Sequence, residues 1–207
     1  MALFIPTYFS PISQFTAIVN TDKIIFEVED NYQKQSYRNR CYIYGANGKQ
    51  LLNIPIHHPK TNGRKKTKDI LVDNSTFWQK QHLKSLESAY KSSPFFEFYI
   101  DDLLPVFTKK YHYLLDINID TFTLISKALQ INSTYKKTSI YNVNTTKKDV
   151  RYLADIKFKR KEKTLPYTQV FSNKHGFIHN LSILDLLFME GTNAINFLEK
   201  KRATISN

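Results

Sequence analysis

The sequence has one cysteine (Cys41), five glycines, seven prolines and one tryptophan among 207 residues. A lone cysteine excludes an internal disulfide and a cysteine-built zinc knuckle, and it fits a reducing compartment. So few glycines and prolines leave little room for linkers. No run nears the ~20 apolar residues that cross a bilayer, and the first ten residues lack the cationic and apolar regions of a signal peptide. The expected address is the cytoplasm, with no membrane span. No glycine-rich phosphate loop follows the first apolar run, and there is no serine elbow, Cys–His signature or P-loop. A dinucleotide fingerprint and a named nucleophile are therefore both missing, and no cofactor is expected. No metal is expected either. His57-His58 lacks a carboxylate at ligand spacing, and Gly176 and Asn180 break any helix that would pair His175 with His179.

Hydrophobic residues make up 42% of the chain and aromatic residues 14%, which excludes a disordered class and suits one large domain over residues 1–207. The net charge is +12, which attracts polyanions. Its cations are mostly lysine, however, and arginine, the better fork for phosphate, is scarce. Lysine together with abundant isoleucine and asparagine is also what AT-rich coding produces.

Along the chain, residues 2–5 read as a buried first strand, followed by a helix capped at Ser10-Pro11 with the apolar stripe Phe15, Ile18 and Val19. Residues 23–29 alternate as a second strand, with Glu27 and Glu29 on one face. Asn47-Gly48 between the apolar runs 41–44 and 49–56 marks a hairpin. Residues 57–68 form a basic loop, and 69–72 a short strand. Residues 75–92 form a helix with the stripe Trp78, His82, Leu86, Ala89 and Tyr90. A second helix starts at Pro94 and a third covers 120–129. Residues 139–143 and 167–171 read as strands and 147–156 as a short helix. Asn180 caps a buried helix over 181–190, ended by Gly191, and C-terminal helices are expected over 181–202. This is an α/β chain: a mixed sheet with a parallel strand–helix–strand start, a hairpin insertion and a helical middle, in Rossmann-like three-layer form.

The densest chemistry lies in residues 31–40, where Tyr32, Lys34, Tyr37, Arg38 and Arg40 alternate with amides. Extended, Arg38 and Arg40 point the same way and offer a bidentate grip on carboxylate or phosphate; the plain reading is a charged sheet rim. Glu27 and Glu29, beside them, are candidates for general base or amine anchor, or simply balance the arginines. His82 is a candidate base or a core histidine. Tyr8 and Gln14 join the substrate-binding candidates near the first strand's end. Asp185, inside its helix, either pairs with Arg38 or Arg40 or faces the pocket. The partner these residues imply is an anionic small molecule. The basic residues of 60–68 and 157–163, with tyrosines as stacking platforms, support an alternative: a non-enzymatic RNA- or DNA-binding module.

The run Tyr32-x-Lys34-x-x-Tyr37-Arg38-Asn39-Arg40, the Asn47-Gly48 hairpin and Pro55 resemble the WbqC-like family. So do Trp78…His82…Tyr90…Pro94-Phe95 and the segment from Asn180 through Asp185 and Phe188 to Gly191. The chain looks like the Bacteroidetes-type branch: Pro6, Tyr8 and Pro11 match the family's His-Gln-Pro-x-Tyr-x-Pro motif, while Phe4 and Ile5 replace its His and Gln. The resemblance implies a transferase, of an amino acid such as glycine to a sugar, in O-antigen or other surface-polysaccharide synthesis. Its substrate would be a nucleotide-sugar or activated amino acid. The missing His leaves a catalytically idle scaffold as a further alternative.

Overall fold

A computed structural model describes residues 1–57, 65–158 and 165–199. The expected basic loop 57–68, the basic cluster 157–163 and the end of the C-terminal helices at 181–202 therefore fall partly outside the described residues. Four short strands, β1 (Ala2–Phe4), β2 (Ile24–Phe26), β5 (Tyr135–Lys137) and β6 (Lys148–Asp149), form a parallel sheet in the order β5-β2-β1-β6. Helix α1 (Ile12–Val19) joins β1 to β2, giving the expected strand–helix–strand start. Counted by appearance within the sheet, the order is third-second-first-fourth, as in a doubly wound sheet. The antiparallel hairpin β3 (Arg40–Gly45) and β4 (Gly48–Asn53) stands apart from it. Its turn residues are Ala46 and Asn47, one position earlier than an Asn-Gly turn, and Gly48 takes the left-handed φ of +97° that closes it.

Alternation along the strands sorts the sheet's two faces. Ala2, Phe4, Ile24 and Phe26 enter the main hydrophobic core. There Phe122 of α4 (Leu114–Ala128) packs edge-on to Phe26 at 5.0 Å and also meets Phe15 of α1. Leu3 and Ile25 face the other way, under the irregular segment 138–147. The helical middle is α2 (Trp78–Tyr90), α3 (Phe96–Thr108) and α4. The buried residues of α2 are Trp78, His82, Leu86, Ala89 and Tyr90, the stripe its 3.6-residue period dictates. A short α5 (Ser172–His175), the buried α6 (Ile183–Glu190) and α7 (Ala194–Glu199) complete the order. Among the described residues, no helix is long and apolar enough to cross a membrane.

Several local expectations give way to long-range partners. Residues 139–143 are not a strand and 147–156 are not an α-helix. The strands lie at β5 and β6, and a 3-10 turn, Arg151–Ala154, follows. Arg151 instead takes the carbonyls of Asn142 and Val143, arching that segment over the sheet. Residues 167–171 are not a strand, because the Tyr167 hydroxyl and the Gln169 amide turn inward to Asp185. Over 69–72 only single bridges form, Ile56↔Val72 and Leu71↔Tyr113. The N-cap of α1 is Pro11 and not Ser10, whose hydroxyl bonds with Thr7. Asn180 does not cap α6. Its Oδ1 accepts from the backbone N of Ser13 at 2.9 Å, so it caps α1, and Ser182 caps α6.

Candidate functional site

The segment 31–40 is not extended. It is tied down by bridges Asn31↔Lys66 and Ser36↔Asp155, and Gln35 takes a positive φ of 56°. A further turn at Tyr37-Arg38 and a bend at Asn39 break the two-residue alternation that would align Arg38 with Arg40. Arg38 points inward, where Nη2 donates to Asp30 Oδ2 and Nη1 to Ser36 Oγ, all three residues being buried. Arg40, the first residue of β3, stays half-buried and lines a cleft of about 450 Å³ with Tyr32, Lys34, Asn39 and Asn53. The expected two-arginine grip is thereby corrected: the cationic pair is Arg40 and Lys34, because Arg38 answers a buried carboxylate.

This cleft is built to receive polar atoms. Asn39 Nδ2 donates to Asn53 Oδ1 at 3.1 Å and to the Ile54 carbonyl at 3.0 Å, which fixes the amide wall. Asn39 Oδ1 and Arg40 Nε are buried without a hydrogen-bond partner among the described residues. Among the described lining residues there is no carboxylate to answer Arg40 and Lys34. Burial pushes the Tyr32 hydroxyl pKa up, with Arg40 and Arg38 opposing.

Glu27 and Glu29 part company. Strand β2 ends at Phe26, so the two do not share a strand face as expected. Glu27 is 1% exposed, and its Oε1 accepts from Glu29 N and from Thr138 Oγ1. Glu29 turns to Lys66 and Lys68, at 2.7 and 2.6 Å, and those hydrogen bonds hold its carboxyl below the usual range. Two of the described lysines of the basic loop, Lys66 and Lys68, are thus engaged with an acid. Most of the residues carrying the nucleic-acid reading, in 60–68 and 157–163, lie outside the described residues.

The remaining candidates sit in the interior. The Tyr8 hydroxyl lies 3.0 Å from His82 Nδ1, and the Trp78 ring meets His82 edge-on. Burial lowers the pKa of His82 to about 4, so the imidazole is neutral at pH 7. Tyr37 is buried, its hydroxyl pushed up to about 12 by burial, and its backbone carbonyl accepts from Tyr8 N. Gln14 Nε2 donates to the Ile5 carbonyl and secures the end of β1. Asp185 reaches neither arginine. Its acceptors take the hydroxyls of Tyr90 (2.6 Å) and Tyr167 (2.5 Å) and the amide of Gln169. Burial raises its carboxyl pKa while those three bonds oppose. Three neutral donors offset the desolvation that a cation had been expected to offset.

Asn39, Asn53 and Arg151 were not among the sequence candidates. An arginine among lysines at 151 was the available signal for the last, and the amide-rich run 31–40 for Asn39; nothing local marks Asn53.

The model of the WbqC-like protein family matches residues 6–165 and 151–197. An uncharacterized protein of Mycobacterium tuberculosis, Rv1507c, is 30% identical over 98 residues, 47% of this chain and 42% of that protein. An uncharacterized glycosyltransferase of Acanthamoeba polyphaga mimivirus, R139, is 22% identical over 80 residues, 39% of this chain and 32% of that protein. The matches thus span less than half the length of either relative. No solved structure is significantly similar to the chain.

Proposed function

The chain belongs to the WbqC-like protein family, and we propose that it is a cytoplasmic transferase that binds an activated anionic substrate in the Arg40 cleft and delivers its group to a sugar. The observation that carries this reading is the cleft itself: a half-buried arginine and a lysine, with fixed amides and no acid among the described lining residues. Such a site favours phosphate or carboxylate over neutral ligands. Arg40 and Lys34 would bind the anion and stabilise the charge that grows on the leaving group as the donor bond breaks. Tyr32 would form the wall, and Asn39 and Asn53 would orient the substrate. Arg38, Tyr37, Tyr8, Gln14, His82 and Asp185 are all buried and would act as positioning residues and not as direct ligands of the substrate. Two supports come from kinship. Transfer of an amino acid, such as glycine, onto a surface-polysaccharide sugar fits what the family resemblance implies. The glycosyltransferase name of the mimivirus relative points to the same area of chemistry.

The test is calorimetric titration with nucleotide-sugars, acyl phosphates and free amino acids. A nucleotide-sugar or an acyl phosphate should bind, and Arg40→Ala or Lys34→Ala should each weaken that binding about tenfold or more, the value of one charge-assisted contact. Unchanged affinity in both folded variants would end the reading.

A further inference from the structure

A second cleft, of about 340 Å³, lies over the outer face of the parallel sheet and shares no lining residue with the Arg40 cleft. Its floor is Leu3 and Ile25, its inner end is Glu27, and the segment 138–147 forms its far wall. In open parallel sheets, ligands sit outside the carboxyl ends of the strands. Glu27 directly follows β2, the strand beside β1. In doubly wound sheets that is where an acid accepts the hydroxyls of a ribose.

The state of Glu27 is what points to a ligand. Its carboxylate is buried and oriented, because Oε1 is held by Glu29 N at 2.9 Å and Thr138 Oγ1 at 2.7 Å. Oε2 faces Arg151 Nη1 at 3.7 Å, an ion-pair separation too long for a hydrogen bond. Arg151 cannot come closer without cost. Its Nε and Nη2 grip Asp149, and its Nη1 and Nη2 donate to the carbonyls of Asn142 and Val143. A buried carboxylate oxygen thus retains acceptor capacity toward the cleft. Hydroxyl and amide groups of Ser139, Thr145 and Asn142 line the same space, above an aliphatic floor.

The charge around Glu27 is positive. Lys136, Lys137 and Lys147 all line the cleft. A phosphate has no place at the other usual position, the N-terminus of α1. There Ile12 N donates to the Leu181 carbonyl and Ser13 N to Asn180 Oδ1, and no glycine opens the turn before it.

We propose that the cleft over this sheet face is a binding site for a sugar phosphate: vicinal hydroxyls donate to Glu27 Oε2 beyond the carboxyl end of β2, the ring's C–H face lies on Leu3 and Ile25, and the phosphate is held by Lys136 and Lys147. The shared chemistry is a diol and a phosphate on one ring, whether it comes as a free sugar phosphate or as the ribose of a nucleotide. This site stands independently of the transferase reading, since it needs nothing from Arg40.

Titration of the full chain with ribose 5-phosphate, 2-deoxyribose 5-phosphate, UMP and inorganic phosphate tests it. Ribose 5-phosphate or UMP should bind, and the 2-deoxy compound should bind at least about tenfold more weakly. The tighter of the first two identifies the source. Glu27→Gln should abolish the preference for the diol while leaving inorganic phosphate affinity unchanged. Lys147→Ala, at a partly exposed position that does not threaten folding, should weaken every phosphate-bearing ligand. Repeated in an Arg40→Ala background, which removes anion binding in the other cleft, the same titrations should keep the preference for the diol. No binding by ribose 5-phosphate and UMP at millimolar concentration would overturn the proposal. So would equal affinity for the ribose and deoxyribose compounds, or wild-type affinity in Lys147→Ala.

Discussion

Arg38 and Asp30 meet inside the protein, Nη2 to Oδ2, with side chains only 3% and 7% exposed, while Arg40 two residues later lines a cleft. Two arginines that look alike in sequence therefore do opposite work. Removing one partner of a buried ion pair leaves the other charge buried and unpaired, at a cost of about 3–5 kcal/mol. Asp30→Ala should lower unfolding stability in urea by that order. Lys109→Ala, which breaks the exposed pair with Asp120, should cost no more than about 1 kcal/mol. Arg40→Ala should belong with the second class in stability. A small effect of Asp30→Ala would mean that the inward turn of Arg38 is not a structural requirement.

His82 gives a pH dependence of known sign. Its pKa is lowered to about 4 in the folded state, against ~6.5 when unfolded. Between those values the unfolded chain binds the extra proton, so stability is complete above ~6.5 and falls as pH drops toward 4, by about 3 kcal/mol in all. Asp185 acts in the opposite sense, because burial raises its carboxyl pKa and the folded state keeps that proton. The comparison of wild type with His82→Gln cancels the Asp185 contribution. The stability of wild type relative to His82→Gln should fall steadily as pH drops from ~6.5 to about 4 and stay flat above that range. A pH-independent difference would show that His82 titrates normally.

The Tyr90 hydroxyl has two partners: it donates to Asp185 Oδ1 and accepts from the backbone N of Tyr44 at 2.9 Å. Tyr90→Phe removes a donor from a buried carboxylate and strands a backbone N–H, for a loss of about 2–4 kcal/mol. Tyr167→Phe likewise removes a donor from Asp185 and should cost less, since no backbone donor depends on it. Thermal unfolding of the two variants should rank them in that order; the reverse order would be incompatible with the network.

Gly191 ends α6 at φ +55°, and a Cβ there would lie 2.6 Å from the Phe95 ring. Gly191→Ala combines left-handed strain with a clash against a packed aromatic, together about 2–4 kcal/mol. Gly48→Ala meets open space at φ +97°, so only the backbone term applies, about 1 kcal/mol. Melting temperatures of the two single variants decide whether the ring contact matters.

What the sequence determined by itself is local. The α2 stripe, the burial of α6, the hairpin around Gly48 and the strand–helix–strand start follow from side-chain period and turn chemistry, which act over a few residues. Strands β5 and β6, of three and two residues, carry too short a pattern to be seen, and exist because they pair with β2 and β1. The tertiary structure also decided where Arg38 points, that Asp185 is answered by hydroxyls, that Asn180 caps a helix more than 160 residues away, and that Glu27 and Glu29 separate. Each of those outcomes depends on a polar group finding its partner across the fold. Burial makes that pairing obligatory, but no spacing along the chain records which partner it will be.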